Sequence, residues 1–145
     1  MLEKDIENLI SLYPDEFFPN EQFRLIGQQV NLEGRRLDIL FEDQHKRKII
    51  VEVKRGILTR EASGQIAEYY GLLKNLGLNE NCELILCANI IPKERKTFLE
   101  AIGIDCKELG ITLLWGVGGG KIQSSSWLLA EAAKDVNVLA DRQTI

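Results

Sequence analysis

The chain is poor in cysteine and histidine. It has three cysteines, Cys82, Cys87 and Cys106, one histidine, His45, and no CxxC pair. An odd cysteine count speaks against a disulfide framework, and a structural zinc site needs four Cys or His ligands at close spacing. All four residues would have to converge here, with His45 far away in sequence. Reduced, mostly buried thiols in a cytoplasmic protein are the expectation. No segment approaches the roughly 18 consecutive apolar residues of a membrane span. The acidic, amphipathic opening MLEKDIENLI has neither the basic n-region nor the apolar h-region of a secretory signal. What is present is ordinary for one globular domain over 1–145: 45% hydrophobic and 28% charged residues.

The net charge of −4 argues at first against nucleic acid as a partner, but it is unevenly spread. Residues 1–23 balance at −5, residues 24–60 at +4 and residues 61–145 at −3. The basic excess comes from Arg35, Arg36, Lys46, Arg47, Lys48, Lys54, Arg55 and Arg60. A local basic surface on an acidic protein can hold a phosphate backbone, because salt screens the distant charges. Solvated hairpin tips are the competing reading.

Leu2, Ile6, Leu9, Ile10 and Tyr13 recur at helical spacing and Pro14 ends the run, which predicts a helix over 2–13. Strands are predicted over 23–32, 37–43 and 48–54, joined by Glu33-Gly34-Arg35 and by the polar turn Asp43–Lys46, as an antiparallel meander. Gly56 is expected to close the third strand. A helix over 60–76 follows, capped by Gly77, then the continuous apolar strand ELILCAN (83–89) and a helix opened by Pro92. Short strands are expected at 104–109 and 111–115, and an alanine-rich helix around 127–140. The order α-β-β-β-α-β-α-β describes an α/β fold with helices on the faces of a sheet.

Within VEVK, Glu52 and Lys54 are two residues apart and share one strand face, while Val51 and Val53 take the other. An acid and a lysine in a buried strand are costly unless paired or given a task. Asp38 sits among Leu37, Ile39 and Leu40, and hairpin pairing of 37–43 with 48–54 brings it opposite Glu52 and Lys54. Two carboxylates suit magnesium, which takes one or two of them and completes its shell with water and phosphate. A cation there lowers the pKa of a water, and a lysine beside it stabilises charge on a phosphate. A buried structural salt bridge is the alternative. The [D/E]xK pattern also occurs at Glu94–Lys96 and Asp105–Lys107, but only Glu52–Lys54 has an upstream acid set in an apolar strand.

Gln65 and Tyr69, four apart, share one face of the next helix. With GRRLDIL, VEVKRG and GQIAEYY, the sequence resembles the PD-(D/E)xK nuclease superfamily, nearest to NucS-type endonucleases and RecB-type QxxxY domains. The resemblance covers about residues 2–110. It implies a restriction-endonuclease-like core with a mixed central sheet in αβββαβ order, and Mg²⁺- or Mn²⁺-dependent DNA cleavage. It makes Asp38 and Glu52 metal ligands, with the Val53 carbonyl as a further one, and Lys54 the catalytic lysine. Gln65 and Tyr69 become the QxxxY pair. Glu7 matches the acid of the first helix, with Glu3 as the alternative. DNA would meet Arg35, Arg36, Lys48, Arg55 and Arg60.

NucS-type enzymes carry a separate DNA-binding domain with no counterpart here, and residues 111–145 form an extension of unassigned role. A homodimer would explain double-strand cutting, although nothing in the sequence demands one. GVGGGK (116–121) fails the phosphate-loop pattern, since Trp115 stands at its first position and Ile122 follows Lys121. His45 reads as exposed, Tyr70 as a core aromatic, and Trp115 and Trp127 as packing residues. A silent nucleic-acid- or protein-binding module on the same fold remains the rival function.

Overall fold

A computed structural model describes residues 1–111 and 113. In chain order the elements are α1 (Glu3–Leu12), α2 (Pro14–Phe17), β1 (Arg24–Leu32), β2 (Arg35–Glu42), β3 (Lys48–Ile57), α3 (Arg60–Asn75), β4 (Cys82–Ile90), α4 (Lys93–Ala101) and β5 (Asp105–Glu108). The sheet order is β1-β2-β3-β4-β5. The first three strands pair antiparallel and the last three parallel, so the sheet is mixed and β3 is the hinge between its two halves.

Strand alternation builds two cores from one sheet. Ile39, Phe41, Ile49, Val51, Val53, Ile85 and Cys87 pack with Ile6, Leu9 and Ile10 of α1. Leu40, Ile50, Leu84, Leu86 and Ala88 pack on the other face with Ile66, Tyr69 and Leu73 of α3 and Leu99 of α4. Phe41 and Ile50 are completely buried, a transfer worth about 1.5–3 kcal/mol for each. Phe23 stacks on Phe41 with ring centroids 5.6 Å apart and closes the end of the first core.

Boundaries follow local chemistry. The Thr59 side chain caps α3 by accepting from the Ala62 N–H at 3.1 Å, and Gly77 leaves the helix at φ +74°. Two expectations need correction. β3 does not stop at Gly56: it runs to Ile57, with a register shift after Lys54 and Gly56 at φ +84°. The glycine makes a bulge inside the strand, a conformation an L side chain resists. Ile111 and Leu113 are helical, against the strand expected at 111–115. The expectations on GVGGGK, both tryptophans and the 127–140 helix lie outside the described residues.

Cys82, Cys87 and Cys106 are free thiols, the first two buried, and burial raises the Cys87 thiol furthest. Among the described residues no helix is long and apolar enough to cross a membrane.

Candidate active site

β2 and β3 pair from Glu42↔Lys48 to Ile39↔Val51, where the ladder ends. One residue beyond, side chains replace it. The Asp38 N–H donates to Glu52 Oε2 at 3.0 Å, and the Val53 N–H donates to Asp38 Oδ2 at 2.8 Å. The splay between the strands is therefore stitched by the two expected acids, each satisfying a backbone donor across the gap. Asp38 also marks a break in alternation, since Leu37 belongs to the α3-side core and Ile39 to the α1-side core.

Glu52 is 3% exposed and its second oxygen, Oε1, accepts from Arg35 Nη2 at 3.0 Å. The Arg35 guanidinium lies over the Tyr69 ring, 4.9 Å from its centroid. Tyr69 is itself fixed by donating to the Leu32 carbonyl at 3.3 Å, and burial pushes its hydroxyl up to about 12. The glutamine of the QxxxY pair, Gln65, is exposed on α3.

On the other side of Asp38 stands α1. Glu7 is 3% exposed and accepts from Lys4 at 3.1 Å, from Gln28 at 3.0 Å and from Gln29 at 3.0 and 3.1 Å. Gln29 also reaches Asp38 Oδ1 at 3.5 Å. Glu3 is exposed and accepts the Arg55 N–H at 3.0 Å, so Glu7 is the helix acid turned toward Asp38. Burial first, then the charge of Glu52, raises Asp38 from 3.8 to about 6, against the pull of the Val53 N–H.

Lys54 is half-buried on β3, and its ammonium has no hydrogen-bond or ion-pair partner among the described residues. The Gly56 bulge just beyond it is held by Asn89, fully buried, whose Oδ1 accepts from the Gly56 N–H at 2.7 Å. Asn89 in turn donates to the Gly110 carbonyl at 2.9 Å.

The five arginines and lysines expected to meet DNA do not form one surface. Arg35 is committed to Glu52 and Tyr69, and Arg55 donates from Nε to the Met1 carbonyl at 2.6 Å. Lys48 pairs with Glu42 at 2.7 Å and sits six residues up β3 from Lys54, about 20 Å away at strand rise. Arg36 and Arg60 are exposed and have no ion-pair partner among the described residues.

No three His, Cys, Asp or Glu side chains among the described residues converge as a ready-made metal cage. The donor set fits a cation that asks for less. Asp38 Oδ1 has only the long Gln29 contact, and magnesium is content with one or two carboxylates plus water and phosphate.

A family model described as the Endonuclease NucS C-terminal domain matches residues 2–115. The chain belongs to that family. Its fold is restriction-endonuclease-like, as the resemblance implied. Among solved structures it is similar to a repair endonuclease from Pyrococcus abyssi, at 24% identity and TM-score 0.63, over 76% of this chain and 47% of that one. It is similar to EndoMS in complex with double-stranded DNA, at 20% identity and TM-score 0.63, over 76% and 46% of the two chains. Pyrococcus furiosus SfsA in complex with Ca²⁺ matches at 16% identity and TM-score 0.51, over 73% and 56%. This NucS C-terminal domain thus spans about half the length of the endonucleases it matches. No match was found among the curated proteins.

Gln28, Gln29 and Asn89 were not singled out by sequence. Two adjacent glutamines in a strand whose partner carries the motif aspartate were the available signal for the first pair.

Proposed function

We propose that this domain is a DNA endonuclease that hydrolyses phosphodiester bonds with Mg²⁺ or Mn²⁺. The observation that carries the reading is the opening between β2 and β3. Asp38 and Glu52 cross-link the splayed strands there, while Lys54, on the same strand as Glu52, is left without a partner. An unpaired, half-buried lysine two residues along the strand from a buried carboxylate is expensive as structure and useful as chemistry.

Asp38 and Glu52 would hold the cation, with the Val53 carbonyl as a further oxygen and Glu7 behind Asp38. When bound, the cation supplies an acidified water and neutralises charge growing on the phosphate. Lys54 would stabilise that charge and orient the attacking water through its ammonium donors. Tyr69 supports Arg35, and Arg35 fixes the rotamer of Glu52. Of the five cations expected to meet DNA, Arg36 and Arg60 would be free for its backbone, a contact that gives affinity without sequence. The DNA complex of a structural relative supports DNA as the substrate, and the Ca²⁺ complex of another supports a divalent cation on this fold.

The test compares wild type, Lys54→Ala and Asp38→Asn on supercoiled plasmid and on labelled mismatched and branched duplexes, with Mg²⁺, with Mn²⁺ and with EDTA. Metal-dependent nicking that both substitutions abolish is the expected result. Folded wild type that binds DNA without cutting it under either metal would make the domain a binding module instead.

A further inference from the structure

We propose that Gln29 is a positioning residue that fastens Glu7 to Asp38 and so makes helix α1 part of the cation site. The inference rests on the endonuclease reading above. Three independent features of one residue carry it.

The first is backbone conformation. Gln29 lies in the middle of β1 yet has φ +53°, in the left-handed region. A non-glycine residue avoids that region, and such strain persists only where the surroundings demand it. The second is register. β1 and β2 pair at Gln28↔Ile39 and at Val30↔Leu37, and the position between them that shows no pairing is Gln29 opposite Asp38. The distortion therefore sits across from the motif aspartate.

The third is what the side chain does. Its Nε2 lies 3.0 and 3.1 Å from the two oxygens of Glu7 and 3.5 Å from Asp38 Oδ1. An ionised carboxylate only accepts, so the amide must turn its N–H donors to both acids. Two negative groups from different elements are thereby held about one positive dipole. Gln28 adds a bond to Glu7 at 3.0 Å and another to Asn8 at 3.0 Å, which ties this turn of α1 to β1. In this role Gln29 touches neither substrate nor reacting atoms. It acts through the orientation of Glu7 and Asp38, as outer-sphere partners do for metal ligands.

Glycine separates this role from a structural one. Gln29→Gly removes the amide and also relieves the left-handed backbone. The full chain carrying Gln29→Gly, and a size-matched Gln29→Met, are compared with wild type and Asp38→Asn by thermal melting and by Mn²⁺ binding in EPR titration. DNA affinity in EDTA and steady-state cleavage complete the comparison. Expected for Gln29→Gly are a Tm at or above wild type, Mn²⁺ affinity about tenfold or more weaker, lower kcat and unchanged DNA affinity. Gln29→Met should lose Mn²⁺ affinity equally without the gain in Tm.

Wild-type Mn²⁺ affinity in both Gln29 variants, with binding lost in Asp38→Asn, overturns the positioning role and leaves the endonuclease reading intact. Mn²⁺ binding that survives Asp38→Asn places the cation elsewhere and overturns both.

Discussion

The guanidinium of Arg35 lies over the Tyr69 ring, 4.9 Å from its centroid, and donates from Nη2 to the Glu52 carboxylate at 3.0 Å. The tyrosine of the QxxxY pair therefore meets the acid of the ExK motif through an arginine that belongs to neither. Tyr69→Phe keeps the platform and loses one bond to Leu32, so cleavage should remain near wild type with a stability loss of about 1 kcal/mol. Arg35→Ala leaves Glu52 buried and unpaired. Its cost should be about 2–3 kcal/mol, less than for a fully enclosed pair because 28% of the Arg35 side chain stays exposed. Urea unfolding of both variants checks the order. Tyr69→Phe more damaging than Arg35→Ala would contradict it.

Asp38 gives a pH signature. Burial and the Glu52 charge hold its folded pKa at about 6, above its ordinary 3.8. The protonated acid thus favours the folded state. Its contribution is fully present below pH 3.8 and is lost as pH rises through about 6. Asp38→Asn cannot ionise. Without metal it should be more stable than wild type above pH 6, by about 1–2 kcal/mol once the solvated part of the carboxyl is allowed for. Thermal melts of the two proteins from pH 4 to 8 in EDTA should diverge upward through pH 6. Parallel curves would count against a strained acid at this position.

A second pH effect belongs to the far end of the sheet. Glu83 on β4 is pushed from 4.5 to about 7, first by burial and then by a shared hydrogen bond with Asp105 and its charge, against Arg47 at 3.4 Å. The sign is the same as for Asp38. Stability is lost as pH climbs from 4.5 through about 7. Glu83→Gln should flatten the loss over that window and leave cleavage intact, because the pair is remote from Lys54. An unchanged pH profile in Glu83→Gln would show that the two carboxyls do not share a proton.

Much of the fold was written in period and punctuation. Ile6, Leu9 and Ile10 gave α1, and the alternation of VEVK correctly set Val51 and Val53 on the face opposite Glu52. The cross-strand placement of Asp38 and Glu52 was also legible, because antiparallel register follows from a short turn. What the sequence did not display were features that depend on two elements at once. Gly56 reads as a strand end by itself and becomes a bulge only because Asn89 on β4 catches its N–H. Lys48 and Arg55 read as a basic surface until Glu42 and the Met1 carbonyl, met only after folding, take their donors. Gln29 reads as an ordinary polar strand residue because φ is not spelled in composition.

Asn89 offers the last test, and it links the buried frame to the site. It is wholly enclosed in β4, accepts from Gly56 at 2.7 Å and donates to Gly110 at 2.9 Å. Asn89→Leu keeps the branching at Cγ, with a bulkier end, and removes both bonds, stranding an N–H and a carbonyl whose desolvation costs about 1–3 kcal/mol each. A stability loss of about 2–4 kcal/mol is expected from chemical unfolding. Because the Gly56 bulge sits two residues past Lys54, the same substitution should also lower kcat while leaving DNA affinity unchanged. Hydrogen exchange at the Gly56 amide reports the loosening directly. Exchange as slow as in wild type, with kcat reduced, would break the link between this clamp and the lysine.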